Sequence, residues 1–172
     1  MRVFVVCTIL VFCFLAIGCK GFAYRVPTEG MKPTIGFDDM CVANPLAYSL
    51  DEIKRFEIVV FKPNEEQRKQ FNDDDLRYIM RIIGLPNEKL EIKENKIYIN
   101  DKLLEEPFKK IVDEKDIKKN FPAINIANDE YFLLGDNRPN SEDSRYWKKP
   151  TIEKNNIYSP IVEIKKDFYK NK

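Results

Sequence analysis

The chain has 172 residues, 44% hydrophobic and 33% charged, and with 12 phenylalanines and 8 tyrosines it carries enough apolar material for one globular domain rather than a disordered chain. Lys+Arg 29 against Asp+Glu 28 leaves a net charge of +1, which removes the basic excess that a nucleic-acid partner requires. There is no histidine, so serine-histidine and cysteine-histidine catalysis are excluded, and of the four cysteines only Cys41 lies beyond the apolar N-terminal segment. A disulfide, a zinc site and any other metal or cofactor are therefore not expected in the domain.

In chain order, residues 3–19 are continuously apolar apart from Thr8 and Gly18, flanked by Arg2 and Lys20. At ~1.5 Å per residue they span about 26 Å, within the range of a membrane helix. The basic residue ahead of them favours an orientation with the rest of the chain outside the cytoplasm. Phe22-Ala23-Tyr24 carries the apolar character past Lys20, as an uncleaved anchor running into its domain does. Leu15-Ala16-Ile17-Gly18-Cys19 is also similar to a lipobox, so lipidation at Cys19 after cleavage stands as the other reading. Either way the expected division is a membrane segment over residues 1–23 and an extracytoplasmic domain over 24–172.

The domain opens on Pro27-Thr28-Glu29-Gly30-Met31-Lys32-Pro33-Thr34, a loop in which two prolines fix φ and Gly30 permits φ > 0. Residues 39–44 and 55–62, the latter centred on Ile58-Val59-Val60-Phe61, read as short β-strands bounded by Pro45 and Pro63. The polar run 64–76 is a surface loop, without the glycine that a calcium-binding turn needs. Residues 78–86 form a strand ending in a Gly/Pro turn, and 90–100 alternate around Glu94-Asn95 as a β-hairpin does. Residues 108–125 turn charged and weakly patterned, a variable excursion or a short helix near 113–119. Tyr131-Phe132-Leu133-Leu134 is a buried strand, and 157–164 is the last. Between them the loop 135–147 is dense in side chains able to bond one another, either as the buttress of a site or as a self-satisfied turn network.

Taken together, the motifs resemble those of the type I signal peptidases, membrane-anchored serine-lysine proteases that cut signal peptides from exported proteins. Pro27 to Thr34 is similar to that family's Pro-Ser-x-Ser-Met-x-Pro-Thr, and residues 135–145 reproduce Gly-Asp-Asn-Arg-x-x-Ser-x-Asp-Ser-Arg without a change. The resemblance implies a mostly-β fold, antiparallel sheets of the signal peptidase and LexA-like type behind an N-terminal membrane helix, with the site facing the membrane. It places the nucleophile at Gly30 and the general base, a lysine neutralised by burial, at Met80. It assigns Thr28 to the lining of the oxyanion hole, Ser141 to orienting the lysine, and Asp143 with Arg145 to stiffening the loop. Met31, Pro33 and Ile79 are the expected peptide-groove residues.

Glycine has no attacking atom, and methionine has nearly the shape of a lysine stem without its nitrogen. In another serine protease, deleting such residues costs about a millionfold in kcat. The sequence therefore points to a catalytically silent relative that binds extended peptides of exported or surface proteins, or an active signal peptidase, at the membrane. The alternative is cleavage by an altered mechanism, with Thr28, Lys32 or an Asp136/Asp143 pair as substitutes. Three further departures from the family pattern fall in turns: Phe56-Glu57 and Asn87-Glu88 each replace Gly-Asp, and Lys148 follows Trp147.

Overall fold

The structure, a computed structural model, describes residues 22–26, 28–44, 53–65, 68–69, 77–113 and 118–170. Residues 1–21 of the expected membrane segment, Cys19 among them, Pro27, most of the polar run 64–76 and residues 114–117 of the expected short helix lie outside the described residues. Among the described residues no helix is long and apolar enough to cross a membrane.

Strands β1 (Phe22–Arg25), β2 (Met40–Ala43), β3 (Ile58–Phe61), β4 (Tyr78–Gly84), β9 (Glu130–Leu134), β10 (Ile152–Glu153) and β11 (Ile157–Lys165) form one sheet in the order β1-β2-β11-β3-β4-β9-β10. A second sheet holds β5 (Lys89–Lys93), β6 (Lys96–Ile99), β7 (Lys102–Leu103) and β8 (Phe121–Asn125) in the order β7-β6-β5-β8. The pairings within both sheets are antiparallel, so the mostly-β expectation holds.

Side chains alternate across a strand, and in β4 and β9 this sends successive residues into two different cores. Met80, Ile82, Tyr131 and Leu133 join a cluster with Met31, Ile35, Phe61 and Trp147, while Ile83, Phe132 and Leu134 join one with Leu90, Ile92 and Ile97. Strands covered on both faces take apolar residues on both sides, which is why residues 131–134 read as an unbroken run and β4 as one interrupted at Arg81, whose charge is paired with Asp136. Strand β5 has one covered face and alternates instead. Its turn to β6 places Glu94 at φ 49 and Asn95 at φ 61, the left-handed pair that a two-residue hairpin takes.

Two expectations change. Residues 121–125 are a strand, paired through Lys89 with Asn125 and Leu90 with Ile124, where only a charged excursion was expected. Phe22 to Arg25 pairs with β2, so these residues belong to the sheet. The turns at the two departures from Gly-Asp persist: Phe56 holds φ 72 and Asn87 φ 64, the left-handed backbone in which glycine carries no penalty. Glu88 answers the second change by accepting from Leu85 N–H and from the Arg55 guanidinium.

Candidate functional site

The loop around Gly30 is pinned by its own apolar residues. Met31 is 2% exposed and Ile35 is fully buried, and Ile35 N–H donates to Met31 C=O at 2.9 Å, closing a turn. On the other side Asn137 N–H donates to Gly30 C=O at 3.0 Å, and Asn137 Nδ2 to Glu29 C=O at 3.1 Å. The contact is so close that a Cβ on Gly135 would stand 2.4 Å from Gly30 O and 2.2 Å from Ser141 Oγ. Glycine is required at 135 for that approach.

Gly30 is different. Its φ is not positive, and a Cβ built on it would meet nothing closer than Asn140 O at 3.6 Å and Ser141 Oγ at 3.7 Å. Neither the backbone nor the packing demands glycine there, contrary to the φ > 0 that the sequence allows for.

Loop 135–147 bonds both to itself and to its neighbours. Asp143 accepts from Arg145 Nε at 2.8 Å and Nη2 at 3.0 Å and from Gly135 N–H at 3.2 Å, a self-contained brace. Asp136 ties the loop outward: it accepts from Arg81 Nε at 2.8 Å and Nη2 at 2.6 Å, and from Thr34 Oγ1. The Arg81 guanidinium also donates to Phe56 C=O at 2.7 Å and lies 3.9 Å from the centroid of the Phe108 ring. Each carboxylate is thus committed to its own arginine, the geometry of two structural ion pairs rather than of a proton-sharing dyad. Lys32 is half exposed and paired with Glu29 on the surface, away from a buried catalytic position.

These elements enclose a cleft of about 510 Å³ between the end of β1 and the start of β4. Gly30, Met80, Thr28, Met31, Ile79 and Ser141 all line it. Pro33, Asp143 and Arg145 do not. Met80 is 8% exposed and packs into the first core. Ser141 is 5% exposed, and its Oγ is enclosed with no hydrogen-bond partner in the structure. A buried unpaired hydroxyl costs ~1–3 kcal/mol, and here it sits between Gly30 and Gly135 with no donor or acceptor in reach. Tyr78, also in the lining, has its phenol pushed up to about 12 by burial and by the nearby Glu142 carboxylate.

The β4 ladder is incomplete beside the cleft. Tyr78 to Arg81 pair with β3, but pairing with β9 begins only at Arg81. Residues 78–80 therefore have a strand neighbour on one side, and β1 has one only in β2. Residues of both strands, Tyr24, Arg25 and Tyr78 to Met80, line the cleft.

Several contributors have no signal in the sequence. Glu106, its side chain 2% exposed, accepts from Arg138 and Lys110, and Ile111 bridges to Asn137, so residues 104–113 run as a strap over the loop. Lys166 Nζ donates to Thr34 C=O at 2.5 Å and to Asp39 at 2.7 Å, tying the end of the chain to the Gly30 loop. Both contacts depend on partners far apart in sequence, which no local pattern announces. Among the described residues no group of ligating side chains is placed to hold a metal.

The profile of the signal peptidase, peptidase S26, family matches residues 1–164. A probable signal peptidase I-2 of Synechocystis sp. is 35% identical over 137 residues, covering 77% of this chain, which spans 60% of that protein's length. Signal peptidase I of Bacillus amyloliquefaciens is 31% identical over 155 residues, covering 83% of this chain and 78% of its own. Among solved structures, the crystal structure of a signal peptidase I from Enterococcus faecalis V583 superposes with a TM-score of 0.51 at 25% identity, over 65% of this chain and 98% of the other.

Proposed function

Because the chain belongs to the signal peptidase, peptidase S26, family, we propose that it is a membrane-anchored relative whose extracytoplasmic domain binds extended segments of exported proteins without cutting them. The observation that carries this reading is the lining of the cleft, where glycine stands at position 30 and methionine at position 80, and where Ser141 Oγ, beside Gly30, has no hydrogen-bond partner. A hydroxyl placed to orient an amine is left unpaired when the amine is replaced by a thioether. The substitutes are engaged elsewhere: Asp136 by Arg81, Asp143 by Arg145, and Lys32 by Glu29.

Binding is supported by the strands lining the cleft that lack a partner on one side, residues 78–80 and β1, since an extended peptide adds to open strand edges through its main chain. The test compares cleavage of a signal-peptide substrate by the wild-type chain and by Gly30→Ser combined with Met80→Lys. The expected result is no turnover by the wild type and turnover by the double variant, whose new serine has room beside Ser141. Clear turnover by the wild type overturns the reading. Saturable binding of the same peptide to the wild type is the companion measurement, and its absence removes the binding half.

A further inference from the structure

Resting on the peptide-binding reading above, we propose that the cleft reads charge in its peptide: Arg25, at the end of β1, receives the carboxylate of an acidic side chain, so that extended segments with Asp or Glu at one flank are preferred. The first support is what Arg25 lacks. Arg55, Arg81, Arg138 and Arg145 each hold a carboxylate of this chain, those of Glu88, Asp136, Glu106 and Asp143 in turn. Arg25 lines the cleft and forms no ion pair among the described residues; its contacts are a carbonyl and a ring.

The second support is that the unpaired guanidinium is nonetheless held in place. Arg25 Nε donates to Phe37 C=O at 3.3 Å, and the group lies 5.1 Å from the centroid of the Tyr169 ring, within cation–π range. That ring is anchored in turn. Tyr169 N–H donates to Asp38 C=O at 2.9 Å, Asp167 N–H to Asp39 at 3.0 Å, and Lys166 Nζ to Thr34 C=O and to Asp39. Residues 166–170 therefore fold back onto the turn whose Phe37 carbonyl takes Arg25 Nε. With Nε and one face engaged, the two terminal nitrogens have no acceptor among the described residues, and they can form a forked bond to a carboxylate. An arginine already oriented gives up less freedom on binding than a loose one.

The third support is position. Strand β1 is the outer strand of its sheet, so a peptide adding to its open side runs past Arg25. The one carboxylate in the lining, Glu142, stands on the β4 side, where its charge acts on the Tyr78 phenol. The β1 side of the cleft thus presents a cation that nothing in the lining neutralises. An acidic flank is attracted there, and a lysine is repelled.

The experiment uses the full chain in phosphatidylcholine nanodiscs and short extended apolar peptides with blocked ends and an uncharged fluorophore, carrying Glu, Gln or Lys at one flank or the other, read by fluorescence anisotropy. At low salt the Glu peptide is expected to bind roughly 3- to 10-fold more tightly than the Gln peptide at one flank only, the factor that one oriented, solvent-facing ion pair supplies, and the Lys peptide more weakly than Gln. The ratio of Glu to Gln is expected to shrink as salt rises. Arg25→Gln is expected to erase the ranking, and Arg25→Lys, which keeps the charge but loses the fork, to retain part of it. Tyr169→Leu, which removes the ring behind the guanidinium, is expected to narrow the same ratio.

If no peptide in the series binds, the peptide-binding reading itself falls and takes this inference with it. If the peptides bind but Glu is no better than Gln, or Lys is preferred, only this inference is overturned. A Glu preference that survives Arg25→Gln places the charge reading elsewhere and overturns it as well.

Discussion

Gly30 and Gly135 face each other across the same contact, and replacing each by alanine should give opposite results. At 135 the new methyl would lie 2.2 Å from Ser141 Oγ, 2.5 Å from Ser141 Cβ and 2.4 Å from Gly30 O, and the last of these belongs to backbone that cannot rotate away. Overpacking of this kind costs ~1–3 kcal/mol. Separating the two segments also gives up the Asn137 N–H to Gly30 C=O bond, another ~1 kcal/mol. Gly135→Ala is therefore expected to destabilise the domain by about 2–4 kcal/mol, which at ~2–4 °C per kcal/mol for a chain of this size lowers Tm by roughly 4–16 °C. At position 30 the methyl meets nothing within 3.6 Å and φ is not positive, so Gly30→Ala should leave stability unchanged or raise it by ~0.4–1 kcal/mol through the unfolded state. Both are measured by urea and thermal unfolding of the purified chain followed by circular dichroism. A Gly135→Ala protein within ~0.5 kcal/mol of wild type, or a Gly30→Ala protein destabilised by more than ~1 kcal/mol, would refute the account of how the two loops meet.

Asp136→Ala should cost about 3–5 kcal/mol in the same unfolding assay, because it leaves the Arg81 guanidinium, 8% exposed, without its carboxylate. Asn87→Gly, at φ 64 on the surface, should stabilise by up to ~1 kcal/mol, and a loss would show that the side chain is used there. Burial pushes Asp39 towards the neutral form, but hydrogen bonds from Lys166, Gly36 N–H and Asp167 N–H outweigh it and hold the carboxyl below its ordinary value. A depressed carboxylate contributes stability above its unfolded pKa of 3.8 and loses it as pH falls through the folded value. Asp39→Asn should accordingly flatten the acid limb of stability against pH below about 4, and an unchanged slope in urea titrations would contradict that.

The parts of the fold legible in the sequence are those fixed by local patterning. The run at 78–86 announces a strand, the run at 131–134 a buried one, and Glu94-Asn95 marks a hairpin through the alternation around it. Strand β8 stayed hidden because Phe121–Asn125 is largely exposed and contains Pro122, tolerated only because this strand lies at the edge of its sheet. Phe22 to Arg25 was masked by the apolar residues that precede it. At the site, motif order named Thr28, Gly30, Met31, Ile79, Met80 and Ser141, which line the cleft, and Pro33, which does not, while Tyr24, Arg25, Arg77, Asn140 and Glu142 of the lining were not named. What was not readable was why Gly135 must be glycine while Gly30 need not be, since that follows from a contact between segments about a hundred residues apart. The burial of Glu106 likewise depends on Arg138, 32 residues away, in a stretch whose lysines and glutamates read as solvated.

The one-sided ladder along residues 78–80 links occupancy to stability. A peptide stitched to that edge would extend the hydrogen-bonded strand whose other residues anchor both cores, so any ligand bound there favours the folded state over the unfolded one. At a hundred times its dissociation constant such a ligand adds about 2.7 kcal/mol, a rise of roughly 5–11 °C in the unfolding midpoint at the same sensitivity as above. Melting temperature then becomes a search tool: exported-protein segments can be ranked against this chain by heat alone, with neither a cleavage product nor a labelled client in hand.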